Sequence, residues 1–234
     1  MTQNTGVDFG RTAADYSRHR AGFPGEFFDR VRQYGVGVPD QRVLDLGTGT
    51  GTVARQFAQR GCSVVALAIS EALIVEARAL DRKSGVAIDY RVARAVDTGL
   101  GDASFDIVTP GQSWLWFDRV VVAAEAMRLL KPAGSIVIAH FDWLPQPGNV
   151  VEATEALIEA FNPKWNLGGG NGLYPAWFAD LTGAGFFALE SFSFDIDVPY
   201  AREAWLGRIR ASAGVAASLP PSDVEKFSRA LDKL

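Results

Sequence analysis

Seven residues of the 234-residue sequence, Asp45-Leu46-Gly47-Thr48-Gly49-Thr50-Gly51, have the types and spacing to do chemistry. They set an acid ahead of three glycines at alternate positions, between an apolar run and a helical pattern. Such a turn leaves a strand, passes close to a ligand and starts a helix. Glycine permits positive φ and removes the Cβ that would block the approach. Exposed N–H groups at the helix start favour a negative or polar ligand group. A carboxylate at the same edge is a natural partner for a cation. A tight βα turn without a ligand is the plainer alternative, and the alternate glycines behind an acid argue against it.

Groups that handle protons are few. The chain has two histidines, His19 and His140, and one cysteine, Cys62. His140 closes the apolar run Ser135 to Phe141, and an imidazole there suits a general base near neutral pH. A packed strand-end histidine is the alternative. Asp142 reads as a strand terminator and Cys62 as a small core residue. These residues form no cluster with zinc spacing, so no metal is expected, and a disulfide within the chain is excluded.

A sheet must bring these groups to one edge. Strands read at 42–46, 63–69, 87–93, 105–109 and 135–141. Helices read at 52–60, at 71–83 behind the N-cap Ser70, and at about 118–130, where Lys131-Pro132-Ala133-Gly134 stops the last. This alternation argues a doubly wound α/β fold, a mostly parallel Rossmann-like sheet with helices on both faces. Ligands then sit at the carboxyl ends of the strands, after Leu46, Ile69, Ala93, Thr109 and Phe141. Beyond residue 141 the rhythm changes. A helix reads at 149–161, a glycine-rich loop at 166–172 and a helix at 175–184. Phe192, Phe194, Ile196 and Val198 alternate within a strand-like 186–198. Helices follow near 201–213 and 221–234, the last with Ser222 and Glu225 at capping-box spacing. No linker is evident, so residues 1–234 read as a single domain. Its parts are an N-terminal lid segment (1–35), a core (36–141), a cap insertion (142–185), and a sheet edge with C-terminal helices (186–234).

The segments VLDLGTGTG (43–51), SFDIVTPGQSWLWFD (104–118) and RLLKPAGSIVIAHF (128–141), with YSRHRAGFP at 16–24, resemble the class I S-adenosylmethionine-dependent methyltransferases. The small-molecule type 11 group is the nearest likeness, up to about residue 141. The resemblance implies S-adenosyl-L-methionine as cofactor, S-adenosyl-L-homocysteine as product and a small-molecule acceptor. It assigns Gly47, Thr48, Gly49 and Gly51 to the methionine and ribose part and Asp45 to the methionine ammonium. It puts Ala68 and Ile69 at the ribose, Ala95 and Val96 against adenine, and Gln112 and Ser113 beside the methionine and the methyl. Tyr16 and Arg20 fall in a segment that closes over the site in relatives, Arg20 suiting an acidic substrate; a solvated basic turn is the alternative. Trp143, Trp165 and Tyr174 fall where this superfamily varies its substrate pocket; an ordinary small core is the alternative for each.

The chain departs from the pattern in three places. Ala68 stands where most relatives carry the acid that takes the ribose hydroxyls. Leu115 replaces a histidine, and Arg94 replaces an acid some relatives set against adenine. No alternating run follows residue 198 for the usual final antiparallel strand, so either the sheet lacks it or the chain is truncated.

Composition narrows the partners. The net charge is −4, with no basic footprint for nucleic acid. No apolar stretch approaches the roughly 20 residues of a membrane span. No signal peptide is visible, so a cytoplasmic protein is expected. The oligomeric state is left open. Methyl transfer by proximity, with base help from His140, leads the readings. A non-catalytic protein of the same fold, motivated by Ala68 and Leu115, is second. A nicotinamide oxidoreductase is third, opposed by Gly-x-Gly-x-Gly in place of Gly-x-Gly-x-x-Gly.

Overall fold

The structure is a computed structural model that describes residues 7–234, without the side chain of Tyr16. After a 3-10 turn (Phe9–Thr12) come α1 (Ala13–His19), α2 (Gly25–Arg32), β1 (Arg42–Leu46), α3 (Thr52–Gln59), β2 (Ser63–Ala68), α4 (Glu71–Ser84), β3 (Asp89–Val92) and β4 (Phe105–Thr109). A second 3-10 turn (Trp114–Trp116) leads into α5 (Arg119–Leu129), β5 (Leu130–Ile136), α6 (Val150–Phe161), α7 (Ala176–Gly183), α8 (Arg202–Arg210) and α9 (Pro221–Leu231). The chain packs as two compact units.

The first unit holds Gly22–His140 and Pro175–Ser191. Its five strands lie in the order β3-β2-β1-β4-β5, and every neighbouring pair is parallel. The expected doubly wound sheet is what forms. Its central strands are near-continuous apolar runs because both faces are covered. Val43, Leu44 and Leu46 of β1 are buried, as are Val65 and Leu67 of β2 and Phe105 and Val108 of β4. Val122, Ala123, Ala126 and Leu129 of α5 join the same core. Phe28 of α2 packs edge-on against Phe57 of α3, with ring centroids 5.2 Å apart. The chain winds outward from β1 to β3, then returns to place β4 on the other side of β1. That reversal opens a crevice at the carboxyl ends of β1 and β4.

The fifth strand differs from the reading at 135–141. β5 starts at Leu130, opposite Phe105, and the register then jumps so that Ile107 faces Ser135. Lys131 to Gly134 bulge out of the ladder, with Ala133 at φ 65°. Pro132 cannot donate to a ladder, so a bulge is where a proline fits. Bonding continues past β5: the Val137 N–H donates to the Val108 carbonyl at 2.9 Å and the Ala139 N–H to the Pro110 carbonyl at 3.4 Å.

Residues 186–198 form no strand, contrary to their alternation. A period of two says which side chains share a face; it supplies no partner for the backbone. Two expected caps also differ. Ser70 is the N-cap of α4, but its hydroxyl makes no capping bond. α9 is capped by Pro220 with Pro221 in its first turn, so Ser222 is already helical and the capping box does not form.

The second unit holds residues 7–21, 141–174 and 192–234. Ile158, Ile209, Val215, Leu219, Phe227 and Leu231 are its buried core, with Trp143, Trp165 and Trp205 packed against them. α1 is held to α8 by the Arg210–Asp15 ion pair at 2.6 Å. Gly207 leaves room for His19, since a Cβ there would lie 2.3 Å from the ring. Among the described residues, no helix is long and apolar enough to cross a membrane.

α3 and α4 are joined by an ion pair that sequence reading does not show. The Arg55 Nε donates to Asp81 Oδ1 at 2.7 Å, with both side chains nearly buried. The same guanidinium reaches the carbonyls of Thr50 at 2.8 Å and Ala77 at 3.2 Å. Removing one partner strands a buried charge. Arg55→Ala should therefore cost about 3–5 kcal/mol in urea unfolding, whereas Arg55→Met with Asp81→Leu should recover most of that loss.

Candidate functional site

The turn after β1 is shaped by close approach. Gly47, Gly49 and Gly51 sit at φ 70°, 58° and 76°, where a side chain is strained. A Cβ on Gly47 would lie 2.7 Å from the Ser113 Cβ and 3.0 Å from Phe117. One on Gly51 would lie 2.2 Å from the Tyr90 hydroxyl of β3. The turn is tied on two sides. The Thr48 N–H donates to the Leu67 carbonyl of β2 at 2.9 Å. The Ser113 hydroxyl donates to the Leu46 carbonyl at 2.6 Å.

Asp45 lies at the floor of this turn, opposite Thr109 of β4. Its side chain is 1% exposed, and neither carboxylate oxygen has a hydrogen-bond partner. Burial pushes its pKa up to about 7. The Thr48 hydroxyl and the N–H groups of Ala54 and Gly111 oppose this only in part. None of them reaches hydrogen-bond geometry, and the Thr48 hydroxyl is itself buried without a partner. A buried acid in this state suits a cation that brings its own donors.

The neighbouring strand ends are apolar. Ala68 is buried, while Ile69 is 77% and Val92 56% exposed. Glu71, the nearest acid in sequence, pairs with Arg78 at 3.3 Å. Ala95 and Val96 are half-buried against the sheet core. After β4, Gln112 adopts φ 63°, and its N–H donates to the Ala139 carbonyl at 2.8 Å. Its carboxamide nitrogen lies 3.4 Å from His140 Nδ1. The His140 ring packs on Trp177 of α7, centroids 4.9 Å apart.

The first unit thus joins Asp45, the three glycines, Thr48, Gln112, Ser113 and His140 along the ends of β1, β4 and β5. Ala68, Ile69, Ala95 and Val96 line the ends of β2 and β3. Tyr16, Arg20, Trp143, Trp165 and Tyr174 belong to the second unit. The side chain of Tyr16 lies outside the described residues. The Trp143 indole donates to Glu155 at 2.6 Å and carries the Arg208 guanidinium 4.6 Å over its ring. Trp165 packs on the second unit's core. The Tyr174 hydroxyl donates to Asp142, and burial raises its pKa above the usual phenol value. Sequence reading missed Tyr90, Arg55 and Asp81. Their only signals are an aromatic in a short strand and ordinary helix charges. Among the described residues, no three His, Cys, Asp or Glu side chains are grouped to hold a metal.

Two predictions follow from the buried acid and the tight turn. Burial penalises the ionised form of Asp45 and pushes its carboxyl up to about 7 in the folded protein, above the ordinary value of about 3.9. Stability from this group is full below about pH 4 and lost as pH rises through 7. Asp45→Asn should therefore stabilise the ligand-free protein by up to about 4 kcal/mol at pH 8, and hardly at pH 4, in urea titrations. Gly51→Ala should destabilise by more than about 2 kcal/mol, and Tyr90→Phe should relieve part of that cost by removing the clashing oxygen.

Residues 44–138 match a family described as a methyltransferase domain. The chain is 30% identical over 152 residues to an uncharacterized methyltransferase of Mycobacterium bovis (strain ATCC BAA-935 / AF2122/97), covering 62% of this chain and 59% of that protein. It is 33% identical over 117 residues to the ubiquinone/menaquinone biosynthesis C-methyltransferase UbiE of Dinoroseobacter shibae, covering 46% and 45%. The chain thus spans less than two thirds of the length of these relatives. Among solved structures, the [4+2]-cyclase SpnF superposes with a TM-score of 0.62 at 22% identity, covering 92% of this chain and 78% of that one. The glycine turn, the strand order and these likenesses agree: residues 44–138 resemble a methyltransferase domain, carried on a doubly wound parallel sheet.

Proposed function

We propose that this protein transfers a methyl group from S-adenosyl-L-methionine to a small-molecule acceptor. The observation that carries this reading is Asp45, a buried carboxylate without a partner at the crevice between β1 and β4. The ammonium of a methionine moiety supplies the charge and donors it lacks. Gly47, Thr48, Gly49 and Gly51 offer backbone free of Cβ atoms to the rest of that moiety. Ala95 and Val96 offer an apolar face to adenine. Ser113 spends its hydroxyl on Leu46, so its role is to hold the wall of the crevice. The cofactor brings a methyl activated on a sulfonium. The chain therefore needs no nucleophile of its own, and its contribution is to bind, orient and exclude water. Gln112 and His140 stand where an acceptor approaches. Tyr16, Arg20, Trp143, Trp165 and Tyr174 are proposed for acceptor contact on the resemblance alone.

Ala68 favours a second reading, in which the fold binds the adenosyl ligand weakly and does other work. The likeness to a cyclase fits that reading, since a fold does not fix a reaction.

Calorimetry with S-adenosylmethionine, S-adenosylhomocysteine and NAD decides between them. Heat is expected with the two sulfur ligands and not with NAD. Asp45 must be ionised to hold the ammonium, and its pKa is about 7. Affinity should therefore rise about eightfold from pH 6 to pH 7.5, as the ionised fraction grows. Ala68→Asp should tighten binding by about 5- to 150-fold, if an acid there gains 1–3 kcal/mol from ribose hydroxyls. Folded protein that gives no heat with either sulfur ligand would sink the methyl-transfer reading.

A further inference from the structure

We propose that Arg55 is a positioning residue: its guanidinium locks two peptide planes of the glycine turn, and Asp81 holds the guanidinium in place. The lock belongs to the ligand-free protein. Its consequence for cofactor affinity rests on the methyl-transfer reading.

Glycine gives the turn its shape and also its weakness. Turning a peptide plane over changes ψ of the residue before it and φ of the residue after it. Gly49 and Gly51 follow the planes 48–49 and 50–51, at φ 58° and 76°. Glycine accepts either sign of φ, and a threonine moves between the allowed α and β regions in ψ. Sterics alone therefore leave both planes free to flip, and hydrogen bonds must hold them.

Arg55 of α3 provides the hold. Its Nη2 donates to the Thr50 carbonyl at 2.8 Å. The Gly51 N–H of the same plane donates to the Thr48 carbonyl at 2.9 Å. A trans peptide is planar, so this plane cannot turn over without breaking both bonds. The Thr48 carbonyl belongs to the plane 48–49, so the bond from Gly51 also sets the direction of the Gly49 N–H. One guanidinium thus governs two planes. The Arg55 N–H donates to the Gly51 carbonyl at 2.9 Å, so the residue grips the turn with its backbone as well.

The guanidinium is itself fixed by α4. Asp81 Oδ1 accepts from Nε at 2.7 Å, and the Ala77 carbonyl, one helical turn away, accepts from Nη2 at 3.2 Å. The fork is planar and rigid, so bonds to Asp81, Ala77 and Thr50 together define its orientation. Its path to the turn exists because residue 51 has no side chain. A Cβ there would lie 3.1 Å from the Arg55 Nη2 and 2.2 Å from the Tyr90 hydroxyl.

Support of the fold and order of the turn can be separated. Arg55→Met with Asp81→Leu replaces the ion pair by apolar side chains, which a core tolerates, but leaves the Thr50 carbonyl without its donor. Arg55→Lys keeps a charge for Asp81, but an ammonium cannot span Asp81, Ala77 and Thr50 as the fork does.

The test is amide exchange by NMR in the ligand-free protein, with calorimetry of S-adenosylhomocysteine binding, on wild type and both variants. The Gly51 amide should exchange about 10- to 100-fold faster in either variant. The Thr48 amide, bonded to the Leu67 carbonyl of β2 at 2.9 Å, should keep its wild-type rate, whereas a general loosening speeds both. Affinity for S-adenosylhomocysteine should fall about 10- to 100-fold in the folded variants. Gly51 exchange that matches wild type, or that rises only in step with Thr48, overturns the proposal. So does wild-type affinity in a variant whose Gly51 amide is freed. If wild type binds neither sulfur ligand, the methyl-transfer reading falls and the exchange comparison still decides the lock.

Discussion

One buried carboxylate sets the terms for this fold. Asp45 is sealed at the end of the central strand with no partner for either oxygen. An isolated charge in such a place is among the least favourable features a core can hold. It is tolerated because the surrounding sheet is apolar and fully packed, and because the acid takes up a proton near neutrality. The same isolation makes the site receptive. A ligand that supplies a cation and donors recovers the cost that folding left standing.

Receptivity needs rigidity around it, and the bonds that supply it converge on the glycine turn. Thr48 ties the turn to β2, Ser113 ties β1 to the loop after β4, and Arg55 reaches its Thr50 carbonyl from α3. Arg55 is itself clamped to Asp81 of α4. A carboxylate that lies without partners is thus bordered by a turn in which the Thr48 and Gly51 N–H groups are engaged, on the Leu67 and Thr48 carbonyls at 2.9 Å each.

Much of this was legible in the sequence because it is local. An acid, three alternate glycines and an apolar run lie within nine residues, and strand–helix alternation implies the parallel sheet. The fifth strand was harder. Lys131-Pro132-Ala133-Gly134 reads as a turn that ends a helix, whereas its residues bulge from a ladder already begun at Leu130. The run at 186–198 has the rhythm of a strand, but rhythm does not supply a hydrogen-bonding neighbour. The Arg55–Asp81 pair and the Gln112–His140 contact depend on register between elements far apart in sequence, 26 and 28 residues respectively. Nothing in the local pattern of either partner announces the other.

The bulge in β5 separates two concerns. Lys131 pairs with Asp106 at 2.9 Å, and Asp106 also accepts the Arg42 N–H at 2.8 Å, so the amino end of the sheet is fastened around the bulge. Beyond it, the bonds from Ser135 to Ala139 restart in a register of their own. A residue gained or lost between α5 and Ser135 can be absorbed in the loop without displacing His140. The amino end of the strand carries the slack in chain length, and the carboxyl end, where the candidate site lies, is free of it.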